Sequence, residues 1–169
     1  MPMAGQALAE APAASVEYEV KAAFIHNFAK FIEWPRNAFE SENSPIRIGI
    51  LGSGPINKSL MKLNGKEVHK RPLEVSMVEN INEVSGYHII FINPSQEKWS
   101  EAILGTLQGT GILTIGDMTG FARQGGVINF YLESGKVRFE INDCSIHRKN
   151  LKISSKLLRL ARIVCSKNH

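Results

Sequence analysis

Lys152, Ser154, Ser155 and Lys156 place two hydroxyls and two ammonium groups at the head of the stretch LKISSKLLRLARIV, residues 151 to 164. A serine ahead of a helix accepts a hydrogen bond from a free amide of the first turn, a contribution of about 1 kcal/mol. The same amides, with lysines beside them, suit a phosphate or a carboxylate. Leu157, Leu158, Leu160, Ala161 and Val164 share one helical face, and Lys156, Arg159 and Arg162 share another. The spacing therefore predicts an amphipathic terminal helix whose start either is simply capped or also holds a small anionic ligand.

Other residues with chemical potential lack the company that chemistry needs. Gly52-Ser53-Gly54-Pro55 follows a β-branched run and opens a helical pattern, the context of a phosphate-binding turn. Asn57 stands in place of the third glycine of a dinucleotide fingerprint, no Gly-Lys-Ser/Thr follows, and Pro55 removes an amide, so the turn reads as structural. His26, His69, His88, His147 and His169 occur singly, and no metal site is expected from them. Asp117, behind the run LTIG, sits where α/β active sites lie but reads most simply as a helix cap. With no Gly-x-Ser-x-Gly elbow and no paired carboxylates, no catalytic residue is assigned and no cofactor is expected. Cys144 and Cys165 fit neither a CxxC nor a zinc pattern. In an exported chain they can form one disulfide; in a reducing compartment they would be two small buried hydrophobes.

The elements that must position these residues follow from the hydrophobic pattern. Residues 17 to 34 carry apolar side chains at Val20, Ala23, Phe24, Phe28 and Phe31 and again at Ala22, Ile25, Ala29 and Ile32, so the pattern predicts a helix that Pro35 ends. A helix so apolar has two surfaces to bury. One faces the domain; the other, with Phe24, Phe28 and Phe31, suits a dimer or partner contact. IRIGIL (46 to 51), KEVHKRPLEVSMV, YHIIFI (87 to 92) and GILTIG (111 to 116) read as strands alternating with helices, the order of a mostly parallel sheet covered on both faces. GVINFYLESGKVRFEIN reads as a hairpin, 127 to 132 and 136 to 141, placed as an antiparallel edge. The fold class is α/β: one three-layer Rossmann-like or flavodoxin-like domain over 17 to 166, with helices after Asp143 closing it.

Composition sets the outer bounds. The 169 residues are 43% hydrophobic and 21% charged, ordinary for one globular domain. The net charge of +4 is uneven, with nine basic residues from Lys136 onward against Glu140 and Asp143. No aromatic residue follows Phe139 to stack on bases, so solvated helix faces, not nucleic-acid binding, account for that charge. Residues 1 to 16 are Ala-rich without apolar periodicity and contain Ala7-Leu8-Ala9, a small-x-small pattern; they read as a signal-peptide remnant or a flexible leader.

Taken together, VKAAFIHNFAKFIEWP (20 to 35), IRIGILGSGP (46 to 55), YHIIFI, ILTIGDMTGFARQGGVINFY (112 to 131) and VRFEINDCSIHRKNLKISSKLLRLARIV (137 to 164) resemble the YfiR family of bacterial periplasmic proteins. The resemblance implies a regulator without enzymatic activity. Such a protein binds the periplasmic sensor region of an inner-membrane diguanylate cyclase, such as a YfiN-like one, and represses cyclic di-GMP synthesis and with it biofilm formation. It also implies a homodimer and periplasmic localisation. Tyr87 stands where relatives often carry a cysteine, so the multi-disulfide redox switch of some relatives is not expected. Trp34 and the Lys152, Ser154, Ser155 and Lys156 corner are the expected ligand or partner site. The alternative is a periplasmic small-molecule or nucleotide-binding module signalling to another receptor, such as a histidine kinase.

Overall fold

The computed structural model describes residues 2 to 165, with side chains from Ser15 onward; most of the expected leader's side chains, and residue 166 at the end of the expected domain, lie outside the described residues. Helix α1 (Pro2–Phe31) is followed by the short strand β1 (Ile32–Glu33) and then β2 (Ile46–Leu51), helix α2 (Ile56–Met61), β3 (Glu67–Val68), β4 (Arg71–Val78) and β5 (Ile89–Ile92). Helix α3 (Ser100–Leu107), β6 (Leu113–Gly116), β7 (Ile128–Glu133) and β8 (Lys136–Asn142) come next. Helix α4 (Asp143–Arg148), β9 (Lys152–Ile153), α5 (Ser155–Leu160) and β10 (Arg162–Val164) complete the chain.

The main sheet has the order β10-β8-β7-β6-β5-β2-β4-β3. Strands β4, β2, β5, β6 and β7 are parallel neighbours. Counted along the chain their spatial order is 2-1-3-4-5, the doubly wound order of the flavodoxin type, whose direction reverses between β2 and β5. Crossover helices cover both faces, giving three layers. Strand β5 shows the division: Ile89 and Phe91 pack with α1, α2 and α5, whereas Ile90 and Ile92 pack with α3 and Phe121. A strand buried on both faces must be apolar at every position, and all four residues of β5 are.

The β3–β4 and β7–β8 hairpins turn where their backbones can adopt positive φ. His69 and Lys70 lie at +50° and +69°, and Ser134 and Gly135 at +52° and +78°. Such turns match the twist of the paired strands.

Two expectations change at the C-terminus. The hairpin is not the edge, because β10 pairs parallel to β8 through Arg162↔Glu140, Ile163↔Ile141 and Val164↔Asn142. The expected helix to Val164 stops at Leu160 for the same reason. Leu157 is buried, but Leu160 is 67% exposed, since the chain leaves the helix to form a strand.

Helix α1 also departs from the expectation of two apolar surfaces. Ala22, Ile25, Phe28 and Ala29 are buried on one face, while Ala23, Asn27 and Lys30 are exposed. Phe28 is fully buried, with ring centroids 5.8 Å from Phe130 and 5.0 Å from Phe139. Its ring is core and is not available to a partner; Phe24 and Phe31 remain half-exposed at the rim. The helix ends at Phe31, earlier than Pro35 requires, because Ile32 and Glu33 pair antiparallel with Ile153 and Lys152. Among the described residues, no helix is long and apolar enough to cross a membrane.

Candidate functional site

In a doubly wound sheet the first place to look is the crevice at the carboxyl ends of the strands, where the order reverses. Here that place is occupied by the protein itself. Gly52 has φ +88°, and a Cβ on it would come within 2.6 Å of Ser95 Oγ and 2.7 Å of Gln96 Cγ. A Cβ on Gly54 would collide with Asn93 Oδ1. The glycines therefore let two loops pack against each other, and Ser53 N–H donates to Ser95 Oγ across the junction at 3.2 Å. Buried Asn93 ties the turn from below, its Nδ2 donating to Gly52 O at 3.0 Å and to Asn57 Oδ1 at 2.9 Å.

Asp117, at the end of β6, is not a helix cap. Its carboxylate accepts from Lys21 Nζ at 2.6 Å, and Glu17 accepts from the same ammonium at 2.6 Å. Lys21 is only 3% exposed. Burial alone would lower its pKa, but the hydrogen bonds to Asp117 and Glu17 outweigh it and hold the pKa above the ordinary lysine value. The carboxylate best placed for chemistry is thus consumed in fastening α1 to the sheet.

The opposite end of the sheet carries an aromatic corner. Trp34, just beyond β1, donates from Nε1 to His88 O at 3.2 Å. His88 lies flat against Phe39, centroids 4.5 Å apart and planes at 16°, and Arg71 stacks on Phe39 with its guanidinium carbon 3.6 Å from the centroid. Both imidazole nitrogens are engaged. Nδ1 accepts from Arg47 N–H at 3.0 Å, so Nε2 carries the proton and donates to Ala38 O at 2.8 Å. Burial pushes the His88 pKa below the ordinary value, and nearby Arg47 and Arg71 act in the same direction, against the partial opposition of the Ala38 bond. The imidazole is a neutral strut. Trp34, Tyr87 and His88 line a cavity of about 490 Å³ together with Thr106, Thr110 and Ile112.

The structure brings the expected site residues to neighbouring segments without merging them into one cavity. Lys152 pairs in register with Glu33, next to Trp34, and Ser154 N–H donates to Phe31 O at 2.9 Å. Ser154 Oγ caps α5 by accepting from Lys156 N–H at 3.1 Å. Ser155 and Lys156 are exposed, and neither lines the cavity beneath Trp34. Sequence reading singled out Trp34 but treated His88 as strand packing and passed over Phe39, Arg71 and Lys21. An i,i+4 Glu17–Lys21 pair on an apolar helix was the one local signal available for the last of these.

Cys144 and Cys165 are bonded, with Cα atoms 5.4 Å apart. The bond joins the first turn of α4 to the end of β10. Among the described residues Asp143, Cys144 and Cys165 form the single group with metal-ligand spacing, and a disulfide offers no thiolate. The arrangement is a covalent staple between α4 and the segment after β10.

The YfiR/HmsC-like family model (DUF4154) matches residues 18–162. The chain belongs to the YfiR/HmsC-like family. This is a family of periplasmic, non-catalytic regulatory domains of cyclic di-GMP signalling. Among solved structures, the chain is similar to an ABC domain in complex with L-Trp from Streptococcus pneumonia, at 12% identity and a TM-score of 0.52. The likeness covers 70% of this chain and 55% of that one, so the chain spans about half of its length, and at this identity it speaks for the α/β fold alone. A search of the curated proteins returns no match.

Proposed function

We propose that this chain is a periplasmic, non-enzymatic repressor that binds the periplasmic region of a YfiN-like inner-membrane diguanylate cyclase and holds cyclic di-GMP synthesis down. The observation that carries this reading is the family match across residues 18–162. The geometry supports binding over catalysis. Where an α/β enzyme would keep reactive groups, Gly52 and Gly54 are packed against Asn93 and Ser95, and Asp117 is neutralised by Lys21.

The partner surface in this reading runs from Trp34 across the β1–β9 ladder to Lys152, Ser154, Ser155 and Lys156, with half-exposed Phe24 and Phe31 available for a homodimer. Release is a population shift: a signal must favour the free protein over the cyclase-bound one by its differential affinity. The test is capture of detergent-solubilised inner-membrane proteins from the source on the immobilised domain. A diguanylate cyclase is expected, and its retention should fall when Trp34→Ala and Lys156→Glu are combined. Retention of the cyclase undiminished by those substitutions would remove this surface from the reading.

The cavity of about 490 Å³ beside Trp34 favours a second reading, a small-molecule module that signals to another receptor such as a histidine kinase. Recovery of a kinase in place of a cyclase would select it.

A further inference from the structure

Helices α3 and α4, with the segment after β6, enclose another cavity of about 760 Å³ that shares no lining residue with the one beneath Trp34. Three cations line it, Arg123, Arg148 and Lys149, against one carboxylate, Glu101. Among the described residues neither guanidinium has an ion-pair or hydrogen-bond partner for its side chain. Both arginines are exposed residues of the cavity lining.

Lys149 is the unusual member. Its Nζ donates to Leu107 O at 3.1 Å and Thr110 O at 3.2 Å, the carbonyls where the chain leaves α3, and no carboxylate stands against it. Two of its three donors are used. Burial lowers its pKa to about 8, so at neutral pH the ammonium remains charged. A desolvated cation without a counter-charge is costly, and Arg123 and Arg148 on the same cavity lining leave the cleft with an excess of positive charge. A bound anion relieves both.

We propose that this cleft binds a small phosphate-type oxyanion, free or as a phosphate ester, held by Arg123, Arg148 and Lys149. Guanidinium forks match the oxygens of phosphate in pairs, and an ammonium adds a point charge. The site is separate from the start of α5, a six-residue helix that contributes no residue to the lining of this cavity. An occupant would brace α3 against α4, the helix that carries Cys144. The proposal does not depend on the identity of the membrane partner.

Calorimetric titration of the full chain with inorganic phosphate, at constant ionic strength set with chloride, tests it. Saturable one-site binding is expected. Arg123→Ala and Arg148→Ala should each weaken it by about tenfold, the loss of one charged hydrogen-bonding group. Lys58→Ala, which removes an exposed lysine of α2, should leave it unchanged. Thermal unfolding of each variant establishes that it is folded, and the two arginine positions serve as independent checks. Absence of saturable binding, or equal affinity in the wild type and both arginine variants, would overturn the assignment.

Discussion

Lys21 Nζ and Asp117 Oδ2 lie 2.6 Å apart although 96 residues separate them in sequence. The pair fastens α1 to the end of β6, with Glu17 as a second acceptor on the same ammonium. Removing one partner of a buried pair leaves the other charge under-compensated. Asp117→Ala should therefore destabilise the domain by about 2 kcal/mol, moderated by Glu17. Urea unfolding checks this, and Lys21→Met combined with Asp117→Ala should recover part of the loss. Because the Lys21 pKa is raised in the folded state, its stabilisation is complete below the ordinary value of 10.5 and is lost only as pH rises through the higher folded value.

His88 gives the opposite pH dependence. Its folded pKa is lowered from 6.5, and the same holds for His26, whose burial is likewise the main cause. The unfolded chain then binds more protons than the folded one just below that pH, so stability rises with pH through this window. It is fully present above 6.5 and falls on acidification toward the folded pKa. The groups facing His88 are the Arg47 N–H, Ala38 O, and the guanidiniums of Arg47 and Arg71. Melting temperatures between pH 7.5 and 5 should decline, and His88→Asn should flatten part of the decline.

Reduction of Cys144–Cys165 opens a loop of 21 residues' separation. Loop-closure entropy sets the loss at about 3 kcal/mol. Dithiothreitol, or Cys144→Ser with Cys165→Ser, should lower the melting temperature by roughly 6–12 °C. Hydrogen exchange should show the loss concentrated in β10, which pairs with β8, and in α5, which leads into it.

A fourth expectation concerns Arg162, whose Nε and Nη2 both donate to Glu140 Oε2, at 3.1 and 2.7 Å. Glu140 is 4% exposed, and its other oxygen accepts from Asn129 Nδ2 at 3.4 Å. The Arg162 side chain is 55% exposed, so solvent screens the pair and Arg162→Ala should cost about 1 kcal/mol. Converting Glu140 to Gln in the same chain should return most of it, as chemical denaturation of the two variants would show.

The parallel sheet was legible because local pattern and tertiary demand agree there. IRIGIL and IIFI are apolar without interruption, and only a strand covered on both faces uses such runs. The terminal segment was misread because LLRLARIV satisfies a helical period as well as a short strand. The choice falls to non-local contacts, the Arg162–Glu140 pair and the Cys144–Cys165 bond, which no window of residues contains. The same reasoning explains the site. Ser154 as a cap is local, and sequence reading found it. The Lys21–Asp117 fastening, the Phe39–His88 stack and the Lys149 cleft join residues dozens of positions apart, so their types are readable and their company is not.

The central claim is repression by binding, and cyclase activity in membranes measures it most directly. Membranes bearing the diguanylate cyclase of the same source convert GTP to cyclic di-GMP, and the purified domain is added from the periplasmic side at increasing concentration. The account predicts a saturable fall in the rate, weakened by Trp34→Ala with Lys156→Glu. A rate unchanged at saturating concentrations of folded protein would contradict it.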